Sequence, residues 1–130
     1  MTQKILIVDD ERELSLILAE MLRDEGYEVS TASNAFKALA LIEATAFHLV
    51  FLDVMMPIMN GLELLKNFRA LPKCKNVPVI LMSAAAEPAK SGQSDWQEFL
   101  AKPFTLEEVL EISQKYIGRS FSSEPPSQKV

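Results

Sequence analysis

Cysteine and histidine each occur once in this chain of 130 residues, as Cys74 and His48. One cysteine forms no internal disulfide, and one cysteine with one histidine excludes a zinc site built from those ligands. Carboxylates are then the metal ligands on offer, which points to a hard cation such as Mg2+. No apolar run is long enough to cross a membrane. No secretory leader is expected, because Lys4 leads directly into an apolar segment and the acids Asp9 and Asp10 follow. Basic patches are lacking, and the net charge is −5, so direct binding to nucleic acid is not expected. There is no internal repeat. The expected compartment is the cytoplasm.

What is present suits one soluble domain. Hydrophobic residues make up 48% and charged residues 24% of a chain long enough to bury a proper core. The chain is organised around residues 49–61. Leu49-Val50-Phe51-Leu52 is apolar without alternation, as in a strand buried on both faces, and it ends in Asp53. Pro57, Asn60 and Gly61 then turn the chain into a loop before the next helix.

The other elements follow in alternation. Residues 5–8 read as a strand. Leu14, Ile17, Leu18, Met21 and Leu22 recur at helical spacing, with Asp10 and Glu13 in the form of a cap and Gly26 placed to end the helix. Residues 28–32 read as a strand. Ser33 or Asn34 caps a helix to about Glu43, with Ala35, Leu39 and Ile42 inward. A third helix runs from Asn60 to Arg69, with Asn60 and Glu63 as a capping pair. Residues 72–76 form a loop, and 77–82 a strand with Ser83 at its end. Residues 99–101 make a short strand ending at Lys102-Pro103-Phe104. Thr105 and Glu108 cap a last helix to about Ile117, with Leu106, Val109 and Leu110 inward. Residues 1–118 are thus read as one domain. Residues 119–130, rich in serine and proline, are read as a disordered tail or linker.

Five strand–helix units imply an α/β fold: a doubly wound, five-stranded parallel sheet with helices on both faces. The flavodoxin-like order 2-1-3-4-5 is expected at this length. In that order Asp9, Asp10, Asp53, Ser83 and Lys102 meet at the carboxyl edge of the sheet. Taken singly, Asp53 and Ser83 would be turn residues and Lys102 a surface lysine. The coincidence of all five at strand ends carries the reading. Carboxylates this close repel and need a cation or a proton to coexist. Mg2+ suits them, because it takes a few carboxylates, keeps waters and accepts a phosphoryl oxygen. A carboxylate can itself attack phosphorus. Mg2+, the Lys102 ammonium and the Ser83 hydroxyl could then cover three phosphoryl oxygens.

These residues resemble the receiver domain of bacterial two-component response regulators. The resemblance covers about residues 3–117 and rests on Asp9-Asp10, on Asp53-Val54-Met55-Met56-Pro57 with Asn60-Gly61, on Ser83-Ala84, and on Phe99 before Lys102-Pro103-Phe104. It implies a phosphorylation-dependent switch that takes a phosphoryl group from a sensor histidine kinase or a phosphotransfer protein, with Mg2+, and signals to a downstream protein or effector domain. It implies that Asp53 is the phosphoacceptor. It also implies that Asp10 and Asp53 ligate Mg2+ by side chains, Met55 by its backbone carbonyl and Asp9 through a water. Ser83 and Phe99 match the switch pair, Lys102 matches the phosphate-binding lysine, and the bond before Pro103 is expected to be cis.

Two other functions share parts of this pattern. One is a Mg2+-dependent phosphatase with an aspartyl nucleophile. Such enzymes carry a second acid two residues on, where this chain has Met55, which transfers no proton. The other is a receiver-like docking module that takes no phosphate, disfavoured because all five pocket residues are present. A switch rather than a turnover enzyme is therefore expected. His48, Cys74 and Trp96 lie outside every motif and are assigned no chemistry. Residues 84–98 depart from the family pattern: Pro88, Gly92 and three small polar residues weaken any helix there. A shortened or irregular fourth helix is expected. A monomer is also expected, because the face built on that helix is where many receivers dimerise.

Overall fold

Strands buried on both faces need apolar side chains along their length, and three strands here are apolar at all but one terminal position. The core strand Leu49–Asp53 (β3) is buried throughout, as is Val79–Ser83 (β4), and Lys4–Val8 (β1) is buried after its first residue. Glu28–Ala32 (β2) and Glu98–Ala101 (β5) are less apolar and form the sheet edges. All pairings are parallel, in the order β2-β1-β3-β4-β5. The computed structural model describes residues 2–90 and 95–119. Of the expected tail, everything after Arg119 lies outside the described residues.

Alternate strand residues feed two cores. Leu6, Val8, Val50, Leu52, Val79 and Leu81 face the helices Ala35–Ala44 (α2) and Gly61–Ala70 (α3). Ile5, Ile7, Leu49, Phe51, Ile80 and Met82 face Arg12–Asp24 (α1) and Leu106–Ile117 (α4). The expected doubly wound α/β fold is thus observed, with the 2-1-3-4-5 order. Three caps follow the sequence as well. The Asn34 side chain accepts from Lys37 N–H, and complete capping boxes join Asn60 with Glu63 and Thr105 with Glu108.

Several expectations need correction. Helix α1 starts after Glu11, whose side chain makes no capping bond, instead of being capped by Asp10 and Glu13. Its buried stripe is Ser15, Leu18, Ala19 and Leu22, while Ile17 is 50% exposed. The face turned to the sheet thus carries the small residues Ser15 and Ala19 and leaves the larger Ile17 outside it. Leu106 is 42% exposed rather than inward, because it stands in the first turn of α4, and Val109 and Ser113 are the buried positions. The 72–76 loop contains a 3-10 turn, Pro72–Cys74.

No helix forms among the described residues between β4 and β5, which are 84–90 and 95–97. Of the segment where a shortened or irregular fourth helix is expected, residues 91–94, with Gly92, lie outside the described residues, and the described part, with Pro88, carries bends and no helix. Trp96 fills part of the space over β4: it is 2% exposed, packs in the core that includes Val79 and Leu81, and donates from its indole N–H to Glu87 at 2.9 Å. Arg69, at the end of α3, holds this connection in place. Its guanidinium donates to the carbonyls of Cys74, Lys75, Val77 and Asp95, and to the Gln97 side chain, at 2.7–3.3 Å. Gln97 in turn accepts the Val79 N–H at 2.7 Å. One fixed fork of five donors thus does work that a regular helix would share among many backbone bonds. Arg69→Ala leaves several carbonyls short of a donor and is expected to lower stability by about 2–3 kcal/mol. The check is urea unfolding, and a change within error would show that water replaces the guanidinium at no cost.

Candidate functional site

Parallel pairing sets the strand ends level. Val8 pairs with Leu52, Asp53 with Met82 and Ser83 with Ala101, so the residues that leave β1, β3, β4 and β5 emerge along one edge. There the side chains of Asp9, Asp10 and Asp53 each offer an oxygen, all within 4.8 Å of one another. Asp9 and Asp53 are buried, at 1% and 3% exposure, while Asp10 is exposed. Gly61 lets the start of α3 lie against the backbone at the end of β3: a Cβ there would overlap the Asp53 carbonyl oxygen, and the Gly61 N–H donates to the Val54 carbonyl at 3.0 Å.

Lys102 is the cation among these acids. Its Nζ lies 2.9 Å from Asp9 Oδ2, 2.6 Å from Glu11 Oε1 and 3.8 Å from Asp53 Oδ1. Burial disfavours its charge, but the bonds to Glu11 and Asp9 outweigh that and push its pKa up to about 12. Asp53 has weaker support. The Met55 N–H donates to it at 3.3 Å, and Lys102 stands off. Burial first, then the charge of Asp9, raises the Asp53 carboxyl to about 7, against the pull of Lys102 and Met55. Negative charge is therefore poorly tolerated at Asp53, where a compensating cation would act strongly. Oxygen ligands of this kind could hold a metal ion.

The Ser83 hydroxyl is 1% exposed and accepts the Ala85 N–H at 3.0 Å. The Lys102 N–H donates to the Ser83 carbonyl at 2.8 Å, so the backbones of the two residues are tied. Phe99 stands on β5, two positions before the partner of Ser83, and packs partly buried against the core on the α2–α3 face. The Lys102–Pro103 bond is cis. The sequence-derived set of Asp9, Asp10, Asp53, Ser83 and Lys102 thus gathers at one edge. Met55 contributes a backbone N–H here, and its side chain is 62% exposed. Sequence reasoning missed Glu11. Its position directly after two acids at a strand end was the available signal.

The family comparison accords with this geometry. Residues 5–114 match the model of the response regulator receiver domain. The chain belongs to that family. A receiver domain is a signalling module, the phosphorylation-dependent switch of two-component systems. This receiver is 38% identical to the transcriptional regulatory protein CpxR homolog of Haemophilus influenzae, over 98% of this chain and 54% of that protein. It therefore spans about half the length of that relative. It is 34% identical to sporulation initiation phosphotransferase F of Bacillus subtilis, over 90% of this chain and 95% of that protein. Among solved structures it is similar to response regulator protein TrrA of Thermotoga maritima in complex with Mg(2+)-BeF, with a TM-score of 0.76 and 35% identity over 89% of this chain and all of that one. Among the described residues no helix is long and apolar enough to cross a membrane.

The raised Asp53 carboxyl has a consequence for stability. The folded receiver holds this proton up to about pH 7, whereas the unfolded chain releases it near pH 4. Stability linked to it is complete below pH 4 and is lost as pH rises through 7. Without divalent cations, wild type should lose on the order of 2 kcal/mol between pH 5 and 8 relative to Asp53→Asn, whose amide does not titrate. Parallel unfolding curves for the two across that range would remove the buried charge from the account.

Proposed function

We propose that Asp53 accepts a phosphoryl group from the phosphohistidine of a sensor histidine kinase or phosphotransfer protein, with Mg2+ as cofactor. The observation that carries this reading is the meeting of Asp9, Asp10, Asp53 and Lys102 at one edge, with Asp53 buried and poorly compensated. Asp10 and Asp53 would hold Mg2+ by side-chain oxygens, Met55 by its backbone carbonyl and Asp9 through a water. The donor set fits: it is all oxygen, and its exposed member, Asp10, leaves room for the waters Mg2+ retains. When bound, Mg2+ supplies positive charge to the carboxylates and to the incoming phosphoryl oxygens.

The chain's own groups do the rest. An Asp53 carboxylate oxygen attacks phosphorus, and the bond from phosphorus to the donor nitrogen breaks with its electron pair returning to the imidazole. The Lys102 ammonium turns to a phosphoryl oxygen. The Ser83 hydroxyl accepts from Ala85 with a lone pair and can give its proton to a second phosphoryl oxygen. Its inward movement opens space for the Phe99 ring, a two-state equilibrium biased by contacts made in one state only. Met55 stands where a phosphatase of this chemistry would need an acid. The receiver therefore acts as a switch on a downstream protein or effector domain, not as a turnover enzyme on a small phosphoester. Residues 1–118 form the receiver and 119–130 a tail or linker. It works in the cytoplasm, as a monomer, and does not itself bind nucleic acid.

Acetyl phosphate with Mg2+ should place an acid- and base-labile phosphate on wild type and none on Asp53→Asn. Asp10→Asn should keep the fold and lose at least tenfold in both Mg2+ affinity and phosphorylation rate. Full phosphorylation of Asp10→Asn would overturn the metal assignment.

Lys102→Ala should still take some phosphate but lose the amide shifts that phosphorylation produces around Ser83 and Phe99. Ser83→Ala should take phosphate and show those shifts at reduced amplitude. Unaltered NMR responses in both chains would end the coupling role of the pair.

A further inference from the structure

Glu11 occupies the N-cap of α1, where a short polar side chain would accept from the helix amides. Its carboxylate makes no such bond and instead takes the shortest contact of the Lys102 ammonium, 2.6 Å. Its backbone N–H donates to Asp9 Oδ1 at 2.8 Å. One residue therefore grips both the buried acid and the cation of the site. Lys102, held at 2.6 Å by Glu11 and 2.9 Å by Asp9, stays 3.8 Å from Asp53.

The geometry points to Glu11 as a positioning residue that holds the Lys102 ammonium away from Asp53 until a phosphoryl group arrives, and so sets the stimulus needed to throw the switch. This rests on the reading of Asp53 as acceptor and deepens it. The ammonium has three N–H donors, of which Asp9 and Glu11 take two, so the third can turn to a phosphoryl oxygen, and a full move of Nζ toward Asp53 then stretches one of the two present contacts. The Asp9 side chain is fully inaccessible, and losing its cation would strand a buried charge. The Glu11 side chain is 61% accessible, so water replaces the ammonium there. The Glu11 contact is the one that yields. Because an exposed ion pair is weak, Glu11 sets a threshold and not a block. Its removal corresponds to a factor of about two to five in the equilibrium.

The test uses beryllofluoride, a phosphoryl mimic, titrated into the whole chain at saturating Mg2+ and followed by amide NMR. Glu11→Gln removes the charge. Glu11→Asp keeps the charge but is one methylene shorter, and it suits the helix N-cap. Both should lower the half-saturating beryllofluoride concentration by about two- to fivefold. If Glu11→Gln alone lowers it, the general negative charge at position 11 explains the effect and the clamp is wrong. If neither variant changes it, the clamp is also wrong. Absence of Mg2+-dependent binding by wild type would be a different failure, that of the acceptor reading itself, and the clamp would fall with it.

Discussion

Negative charge crowded at the carboxyl edge of the sheet is the constraint to which the rest of this receiver answers. Asp9 and Asp53 are buried, Asp10 adjoins them, and the cation in contact is Lys102, from the far side of the sheet. Such an arrangement costs stability, as the displaced proton equilibrium of Asp53 indicates. It persists because five parallel strands and two apolar cores hold the strand ends level. The fold thus stabilises a site that the unfolded chain would disperse. The same strain makes the site responsive, because any cation or anion that rebalances the charge has a large differential effect.

Lys102 couples this edge to the other end of the sheet. Its backbone N–H is tied to Ser83, and its side chain reaches across to the acids that follow β1. A change in the partners of one ammonium is therefore felt on β1, β3, β4 and β5. The β4–β5 connection beside it differs in construction from the other crossovers. Where described it carries no helix, and Trp96 and Arg69 anchor it from the α3 side. A face built on such a connection presents different side chains from one built on a regular fourth helix.

Much of the fold was legible because it is written in local pattern. Unbroken apolar runs marked β1, β3 and β4, and acids or hydroxyls at their ends marked the site. The Asn60–Glu63 and Thr105–Glu108 pairs marked two helix starts correctly, since a capping box closes within four residues. At α1 the same kind of signal misled. Asp10 and Glu13 had the spacing of a cap, but Asp10 joins the carboxylate cluster and the helix opens at Glu11. Apolar periodicity also misplaced Ile17, because the buried face of α1 carries the small Ser15 and Ala19, which an apolar stripe of large side chains does not reveal.

The sequence by itself determined the class of fold, the strand order and the identity of the acids, hydroxyl and lysine at the edge. Each of these follows from residue type at short range together with the few topologies that parallel crossovers allow. Only the tertiary structure decided how those groups share charge. The Lys102–Glu11 contact joins residues 91 positions apart, and the Arg69 guanidinium reaches Gln97 across 28. No periodicity encodes which of several nearby acids a lysine will choose. That choice depends on distances of a few ångströms, on which partner water can reach, and on the packing that sets both.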